Sequence, residues 1–595
     1  MGAAGLRGAG QGIAPSHAGT RWAGGDLMGR KRRQWRGVAV AAEGAERSPG
    51  AGGGLPGVQG QGGGEGEGRP AEAGESVATG ADSGPSEEQA TWSPPRVAVF
   101  IPASLLQRLQ AEIPPLLALA GPMLGTNVVG YVAFAGSVVA VGKLGAAPLA
   151  VCVLGNSLFN TTGYSMLMGL SMGLDTACGQ AWGAKEYLKL GAALQLALLV
   201  CSAAFIPVAA LWMIMGPLLI AGGQEPALAR GVADYLLWLL PGLFAGILVE
   251  CLKRYQQGQG IVKPAVVATL VMAAISPFVL AGCVHYPLHM GATGAALGIT
   301  ILECVQALIL VGFVVRQHRK VGNSPEQTWG GWALRAAARD WRSYLALSLP
   351  AMVMLCAEWW SFELAIVFSG MTVNPDSAVA TMGVLFSIAA IAYMIPLSFS
   401  QAVSTRVANT LGANDAKGAK TAALLAVLCS TAGVVVVGSL FLGLPSQCIA
   451  LVTTDPDVVS MATALAPLVA FSWVGDHHNC VLGGVVRGLG DQHAGAKANL
   501  FGHYAIGVPL GILLAFKFQL GLHGLWMGLS SATLVSALLM ARIVLKTDWE
   551  GAARKAQEIP GALPIVLSGD DILDGSESLT LPLLATAEDR RQARE

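Results

Sequence analysis

Charged residues are scarce in this chain: they make up 12% of its 595 positions, against roughly 25% in an ordinary soluble domain. Apolar residues make up 53%, so the deficit of charge favours a protein that lies in a lipid bilayer. Lysine plus arginine and aspartate plus glutamate both total 37, so no excess of positive charge indicates a nucleic-acid partner. The ten cysteines include no CxxC pair and no metal-ligand spacing. We therefore expect a membrane protein without a nucleic-acid partner, metal or cofactor.

Enzyme motifs are missing as well. The sequence contains no P-loop, HExxH or GxSxG in a supporting context, which argues against an enzyme. No apolar region follows the start, so we expect no signal peptide of the secretory type.

Two polar regions flank the apolar part. Residues 1–95 are rich in glycine and alanine and contain no apolar run, so we predict a disordered tail, with an organellar transit peptide as the alternative. Its basic cluster, GRKRRQWRG at 29–37, is interpreted as a solvated charge run. Residues 546–595 form a second polar tail, and LPLL at 581–584 lacks the upstream acid of a dileucine sorting signal.

About twelve segments between the tails are long and apolar enough to cross a membrane as helices of ~20 residues. We place them at 113–140, 147–171, 191–220, 233–252, 264–285, 292–315, 344–367, 378–400, 419–443, 459–482, 499–516 and 521–542.

Basic residues concentrate in or beside the even-numbered connections between these segments. They are Lys185, Lys189, Lys253, Arg254, Lys263, Arg316, Arg319, Lys320, Arg335, Arg339, Arg342, Arg406, Lys417, Lys420, Arg487 and Lys497. The odd-numbered connections offer little beyond Lys143, Arg230 and Lys517. The positive-inside bias therefore predicts that the even connections and both termini are cytoplasmic.

Weak internal repeats recur at a nearly constant spacing. They pair LALAGPM with LALSLPAM, DTACGQAWGA with STRVANTLGA, and QGQG with RGLG, starting at 117 and 345, 175 and 404, and 257 and 487. Three such pairs in order indicate duplication of a six-helix unit. We predict an N-terminal lobe at 96–315, a basic cytoplasmic linker at 316–343 and a C-terminal lobe at 344–545. A cleft between two such lobes suits alternating access.

Several of these stretches carry a family resemblance that covers both lobes and leaves out the tails. They are LAGPM at 119–123, LDTACGQAWGAKEY at 174–187, GQGIVKP at 258–264, CAEWWSFE at 356–363, YMIP at 393–396, STRVANTLGAN at 404–414, GGVVRGLGDQ at 483–492 and GVPLG at 507–511. As a set they resemble the multidrug and toxic compound extrusion (MATE) family, of the plant and algal type. The resemblance implies a V-shaped bundle of two six-helix lobes. It also implies a monomeric exporter of small organic compounds, often cations, in exchange for protons or sodium ions.

Two glutamates stand inside one apolar span, in LCAEWWSFE at 355–363. A charged carboxylate near mid-membrane costs ~3 kcal/mol on insertion scales, so such a residue is seldom idle. A carboxylate that can bind either a proton or an organic cation is the simplest group that could couple the exchange of the two. At the position of Glu358 the resemblance implies proton and substrate coupling. Glu363 is a second candidate, five residues and about 140° round the helix, so we expect the two side chains not to share one face.

A third acid, Asp476, precedes GGVVRG in the tenth segment and matches an acidic position of the family. We expect Glu358 and Asp476 to face the cavity of the C-terminal lobe and to titrate as a coupled pair. For substrate binding we select Tyr504, Trp359 and Tyr393, whose rings could face a cation.

The N-terminal lobe departs from bacterial relatives, because Ser137 stands where they carry an aspartate in the first helix. The acids of the C-terminal lobe are therefore the coupling candidates. Asp175 and Gln180 are interpreted as hydrogen-bonding groups at a helix end. Protons are expected from the plant-type resemblance. Sodium coupling and a lipid-linked flippase stay as alternatives, and either the plasma membrane or the vacuolar membrane fits.

Overall fold

A computed structural model of the protein describes residues 103–322 and 324–558. The predicted disordered tail with its basic cluster, and the C-terminal residues from 559 onward with LPLL, lie outside the described residues. No β-strand occurs in either described range.

The first nine helices, in chain order, are α1 (Ala103–Gly142), α2 (Ala146–Phe159), α3 (Ser165–Ser171), α4 (Gly173–Gly183), α5 (Tyr187–Met213), α6 (Met215–Ala221), α7 (Pro226–Gly258), α8 (Lys263–Val284) and α9 (Ala292–Val321). The remaining helices are α10 (Leu334–Arg339), α11 (Trp341–Ser369), α12 (Pro375–Gly412), α13 (Ala416–Gly443), α14 (Pro445–Ala450), α15 (Pro456–Leu489), α16 (Gln492–Leu500), α17 (Val508–Ile512), α18 (Leu522–Lys546) and α19 (Trp549–Glu558). Three π-helical segments complete the described chain: Asn160–Tyr164, Phe501–Gly507 and Leu513–Lys517.

Eleven helical stretches in the described part of the chain are long and apolar enough to cross a membrane, where the sequence predicted about twelve. The twelfth is the run from α2 to α4, in which no single helix reaches the required length, because a π-helical segment and a break at Met172 divide it. Tertiary packing explains the π-helical segment. Trp212 donates from Nε1 to Thr162 Oγ1 at 2.9 Å, and its ring lies so close to Gly163 that a side chain there would clash.

The helices form the two pseudo-symmetric six-helix lobes of the predicted fold. One apolar core joins the helices from α2 to α9, and a second joins parts of α11, α12, α13, α15 and α18. Large apolar side chains such as Ile206, Phe278 and Val436 are exposed on the outside, as expected where a helix faces lipid.

The first helix of each lobe leans on the opposite lobe. The first half of α1, with Leu116 and Met123, packs in one apolar cluster with α12, α13 and α15. The first half of α11 packs on α3, where the Tyr344 hydroxyl donates to the carbonyl of Leu170 at 2.9 Å. Gly169 of α3 permits this approach, because a Cβ atom there would lie 2.5 Å from the Cα atom of Met352. These contacts of α1 and α11 with the opposite lobe lie at the same end of the bundle.

Part of the predicted polar C-terminal tail is helical. The helix α19 packs against α12 and α13, with Ala553 and Ala556 buried in the same cluster as α1. The sequence did not indicate this helix, because its apolar face consists mainly of alanines. The connection between the lobes is also ordered against α5 and α7: Gln195 Nε2 donates to the carbonyl of Gly331 at 2.8 Å, and the Tyr255 hydroxyl donates to Thr328 Oγ1 at 2.6 Å.

Candidate functional site

A cavity of about 550 Å³ lies between the two lobes. Its N-terminal wall comes from α1, the π-helical segment after α2, and the helices α7, α8 and α9. Its C-terminal wall comes from α11, α12 and α15. Ligand cavities of this kind in other proteins have volumes of roughly 300–1,000 Å³, so the space suits a small organic molecule.

Two carboxyl groups meet in the C-terminal wall. Glu358 of α11 and Asp476 of α15 both line the cavity, are both buried, and are near enough for their charges to interact. Asn479 Nδ2 donates to Glu358 Oε2 at 3.0 Å, and Tyr393 lines the same two cavities as Glu358. Two ionised carboxylates repel each other and have no donor between them, so one proton held by the pair would stabilise it. The arrangement can hold one proton or release it.

A much smaller cavity of about 20 Å³ lies on the other side of Glu358. It is lined by Asn479, Asn499 and Arg487, and the Oδ1 atoms of both asparagines are buried without a partner among the described residues. The space is about the size of one water molecule, and these polar groups border it among apolar side chains such as Met354 and Leu397. Glu358 therefore borders both the large cavity and a small pocket that the Arg487 side chain also lines.

The same arginine takes part in a buried ion-pair group that joins the lobes. Asp175 of α4 accepts from Arg254 of α7 at 2.7 Å and from Arg487 of α15 at 3.3 Å. Arg254 also lies 3.6 Å from Glu250, and Arg487 Nη2 donates to Ser400 Oγ at 2.8 Å. The sequence analysis expected helix-end hydrogen bonding at Asp175, and the structure instead places this carboxylate between guanidinium groups of two different lobes.

The lobes also meet along a close crossing of α4 with α12. A Cβ atom on Gly179 would lie 2.5 Å from that of Ala408, and Cβ atoms on Gly183 and Gly412 would clash with backbone carbonyls of the opposite helix. Beside the crossing, Thr176 Oγ1 donates to the carbonyl of Arg487 at 2.6 Å. Small residues at such spacing let two helix backbones approach in a membrane. This end of the cleft is closed.

The other predicted site residues are distributed around the large cavity. Trp359 and Tyr393 line it. Glu363 lines it too and accepts from Ser157 Oγ of α2 at 3.0 Å, so the expectation that it could not share a face with Glu358 was wrong. The reason is that the cavity borders a stripe of α11 about 140° wide, with Glu358 and Glu363 at its two edges. Tyr504 lies in a π-helical segment and is not among the described residues that line this cavity.

The N-terminal wall contains charged residues that the sequence analysis missed. Glu250, Lys253 and Glu303 all line the large cavity. Lys253 Nζ forms an ion pair with Glu250 Oε1 at 2.6 Å, and the Tyr164 hydroxyl donates to the same oxygen at 3.3 Å. The predicted fourth segment ended at residue 252, so Lys253 was assigned to a connection, whereas α7 continues to Gly258. Glu303 carries the same signal as Glu358, a lone acid in an apolar run, and could have been found.

Comparisons with known proteins agree with this architecture. The MatE family model matches residues 122–281 and 350–513, one stretch in each half of the chain. Protein DETOXIFICATION 16 of Arabidopsis thaliana is 34% identical over 448 residues, which cover 75% of this chain and 91% of that protein. Multidrug and toxin extrusion protein 1 of Homo sapiens is 32% identical over 480 residues, which cover 80% of this chain and 82% of that protein.

Solved structures give the same result. The crystal structure of the eukaryotic MATE transporter AtDTX14 superposes with a TM-score of 0.72 at 32% identity, covering 76% of this chain and 99% of that one. These matches confirm the predicted family and fold. The chain belongs to the MatE family and is a multi-pass membrane transporter of the multidrug and toxin extrusion type.

Proposed function

We propose that this protein is a secondary active antiporter that exports organic compounds, chiefly organic cations, in exchange for protons by alternating access. The observation that carries the proposal is the Glu358–Asp476 pair, two neighbouring buried carboxyl groups at the wall of a cavity of organic-molecule size. Loading an organic cation into the cavity that the pair borders makes the doubly ionised state favourable and expels the shared proton. Reprotonation from the opposite side removes that negative charge and expels the cation.

The wall around the pair supports binding of a cation with an apolar body. The indole of Trp359 and the phenol of Tyr393 border the same space, and an aromatic face near a desolvated cation contributes about 0.5–2 kcal/mol. Glu363 adds a further carboxylate on this wall, held by the Ser157 hydroxyl at 3.0 Å. We assign Glu363 a secondary role in coupling.

We propose the lobe boundaries predicted from the sequence, 96–315 and 344–545, with a linker between them and both termini in the cytoplasm. The closed crossing of α4 with α12 then lies on the cytoplasmic side, where Lys185, Lys417 and Lys420 supply the positive charge expected there. The described state is accordingly one that is closed toward the cytoplasm. A monomer in the plasma membrane or the vacuolar membrane would meet an acidic compartment on the far side.

Transport of a fluorescent monovalent cation, ethidium, into proteoliposomes tests the proposal. One proton exchanged for one monovalent cation moves no net charge, so accumulation should rise about tenfold per pH unit and should not respond to a potassium diffusion potential. A protonophore and Glu358→Gln should each abolish uphill movement. Glu326→Gln, which changes an exposed acid of the connection between the lobes, should not.

Other outcomes would overturn the proposal in distinct ways. Accumulation driven by a sodium gradient at equal pH would mean sodium coupling. Translocation of a lipid-linked substrate without any cation transport would favour a flippase. Proton-driven transport that persists in both Glu358→Gln and Asp476→Asn would mean that the coupling site lies elsewhere.

A further inference from the structure

The wall of the cavity opposite the Glu358–Asp476 pair contains an acid that has no assigned role. Glu303 of α9 lines the cavity, and neither an ion pair nor a hydrogen bond joins it to any residue in the described ranges. A carboxylate at membrane depth is costly unless a proton or a cation neutralises it. Glu303 therefore needs a proton or a cation from the cavity to neutralise its charge.

The nearest cationic side chain is already engaged. Lys253 Nζ lies 2.6 Å from Glu250 Oε1, and Arg254 lies 3.6 Å from the other oxygen of that acid. Arg254 is in turn bound to Asp175 at 2.7 Å. Each of these cations has a carboxylate partner in the chain of ion pairs beneath the cavity, which leaves Glu303 as the acid of this wall without one.

Beside this acid the same wall presents a stack of aromatic rings. The ring centroids of Phe134 and Phe159 are 6.2 Å apart with planes 26° from parallel, and those of Phe159 and Tyr164 are 5.9 Å apart at 15°. All three side chains line the cavity. A carboxylate beside aromatic faces is the combination that recognises an organic cation with an aromatic or alkyl body.

There is also room next to the carboxylate. Gly246 of α7 faces it, and a Cβ atom built there would meet Glu303 Oε2 at 3.9 Å and no other heavy atom within 4 Å. A methyl group at this position would therefore narrow the space beside the acid without disturbing the backbone.

We propose that Glu303 is a cation-binding group on the N-terminal wall, which holds the positive charge of the substrate and sets its affinity. The Glu358–Asp476 pair on the opposite wall sets proton coupling. This division rests on the antiport function proposed above. It predicts that neutralising Glu303 weakens substrate binding, whereas neutralising the Glu358–Asp476 pair abolishes proton coupling.

Equilibrium binding of ethidium to the purified protein in detergent, followed by fluorescence, separates the two roles without requiring transport. We expect the isosteric variant Glu303→Gln to raise the Kd of ethidium, and the KM of its uptake, about tenfold or more. Uptake by this variant at saturating ethidium should still depend on the pH gradient. Glu303→Asp, which keeps the charge, should recover most of the affinity, and Glu326→Gln is the matched control on an exposed acid.

Gly246→Ala is an independent variant that keeps every charge. We expect it to raise the Kd of the bulky ethidium several-fold while leaving that of tetramethylammonium within about twofold. An unchanged Kd in Glu303→Gln would overturn the assignment, and so would loss of the pH dependence with an unchanged Kd, since Glu303 would then hold a proton. If the wild-type protein binds ethidium through Glu303 but exchanges no proton, the antiport function fails while the cation site stands.

Discussion

Asp175 is the residue at which the two lobes share one buried charge. Its carboxylate accepts from a guanidinium of each lobe, and the side chains of all three residues are at most 8% exposed. A buried ion pair adds little net stability compared with apolar packing, but removing one partner leaves uncompensated charge at low dielectric. The ion pairs of Asp175 therefore favour one specific arrangement of the lobes rather than adding much to its stability.

Asp175→Asn should strongly destabilise the closed protein, because Arg487 would lose its carboxylate and Arg254 would keep only Glu250. We expect a loss of about 3–5 kcal/mol in the free energy of unfolding, visible as a lower melting temperature of the purified protein in detergent. Glu326→Gln, at an exposed position, should stay within about 0.5 kcal/mol of the wild type. A melting temperature for Asp175→Asn equal to that of the control would show that the ion pairs do not hold this state together.

The acids of the cavity show which residues a sequence can identify. Glu358 and Asp476 were found because each is an acid in an apolar run at a position that resembles a known motif. Glu303 also lies in an apolar run, but outside every stretch that carries the family resemblance. Lys253 could not be placed without the true end of α7, since it lies one residue beyond the predicted boundary at 252, whereas Glu250 lies inside the predicted segment.

At the scale of elements, the crossing of α4 with α12 stands out. Among the glycines of the described residues, those at this crossing make the closest approach between the lobes. Gly183 and Gly412 each face a backbone carbonyl of the other helix, so any side chain there would push the helices apart. The reciprocal packing of α1 and α11 on opposite lobes lies at the same end. These contacts must separate when the cleft opens on that side, and they are the elements that we expect to alternate between two arrangements.

Gly183→Ala should weaken the closed crossing, because its Cβ atom would clash with the carbonyl of Asn409. Cys178, which is buried beside this crossing, should then react faster with a thiol reagent, as measured by site-resolved mass spectrometry. Gly312→Ala, a helical glycine whose Cβ atom would meet nothing within 4 Å, is the control. Equal labelling of Cys178 in both variants would mean that the crossing does not open.

Periodicity predicted the long helices but not how they are interrupted. The number and order of the spans followed from apolar runs of ~20 residues, and the duplication followed from three spaced repeats. The π-helical segment at Asn160–Tyr164 depends on Trp212, which is about fifty positions away and binds Thr162 only in the folded lobe. Similarly, α19 forms against α12 and α13, contacts that no local pattern reveals.

At the scale of the whole molecule, neighbouring side chains connect the cavity, the carboxyl pair and the closed end. Glu358 borders both the organic-molecule cavity and the small pocket, and Arg487, which lines that pocket, is paired with Asp175. A change of charge at Glu358 therefore acts on a guanidinium that also holds the lobes together. We therefore expect proton occupancy and the contact of the lobes to be coupled through this positive charge.

The measurement that tests the central claim most directly is proton release on substrate binding. Ethidium is added to the purified, weakly buffered protein in detergent, and a pH indicator reports the protons set free. The account predicts that the wild type and Glu326→Gln release close to one proton per bound ethidium, and that the double variant Glu358→Gln/Asp476→Asn binds ethidium without releasing any. Binding without proton release in the wild type, or equal release in the double variant, would contradict it.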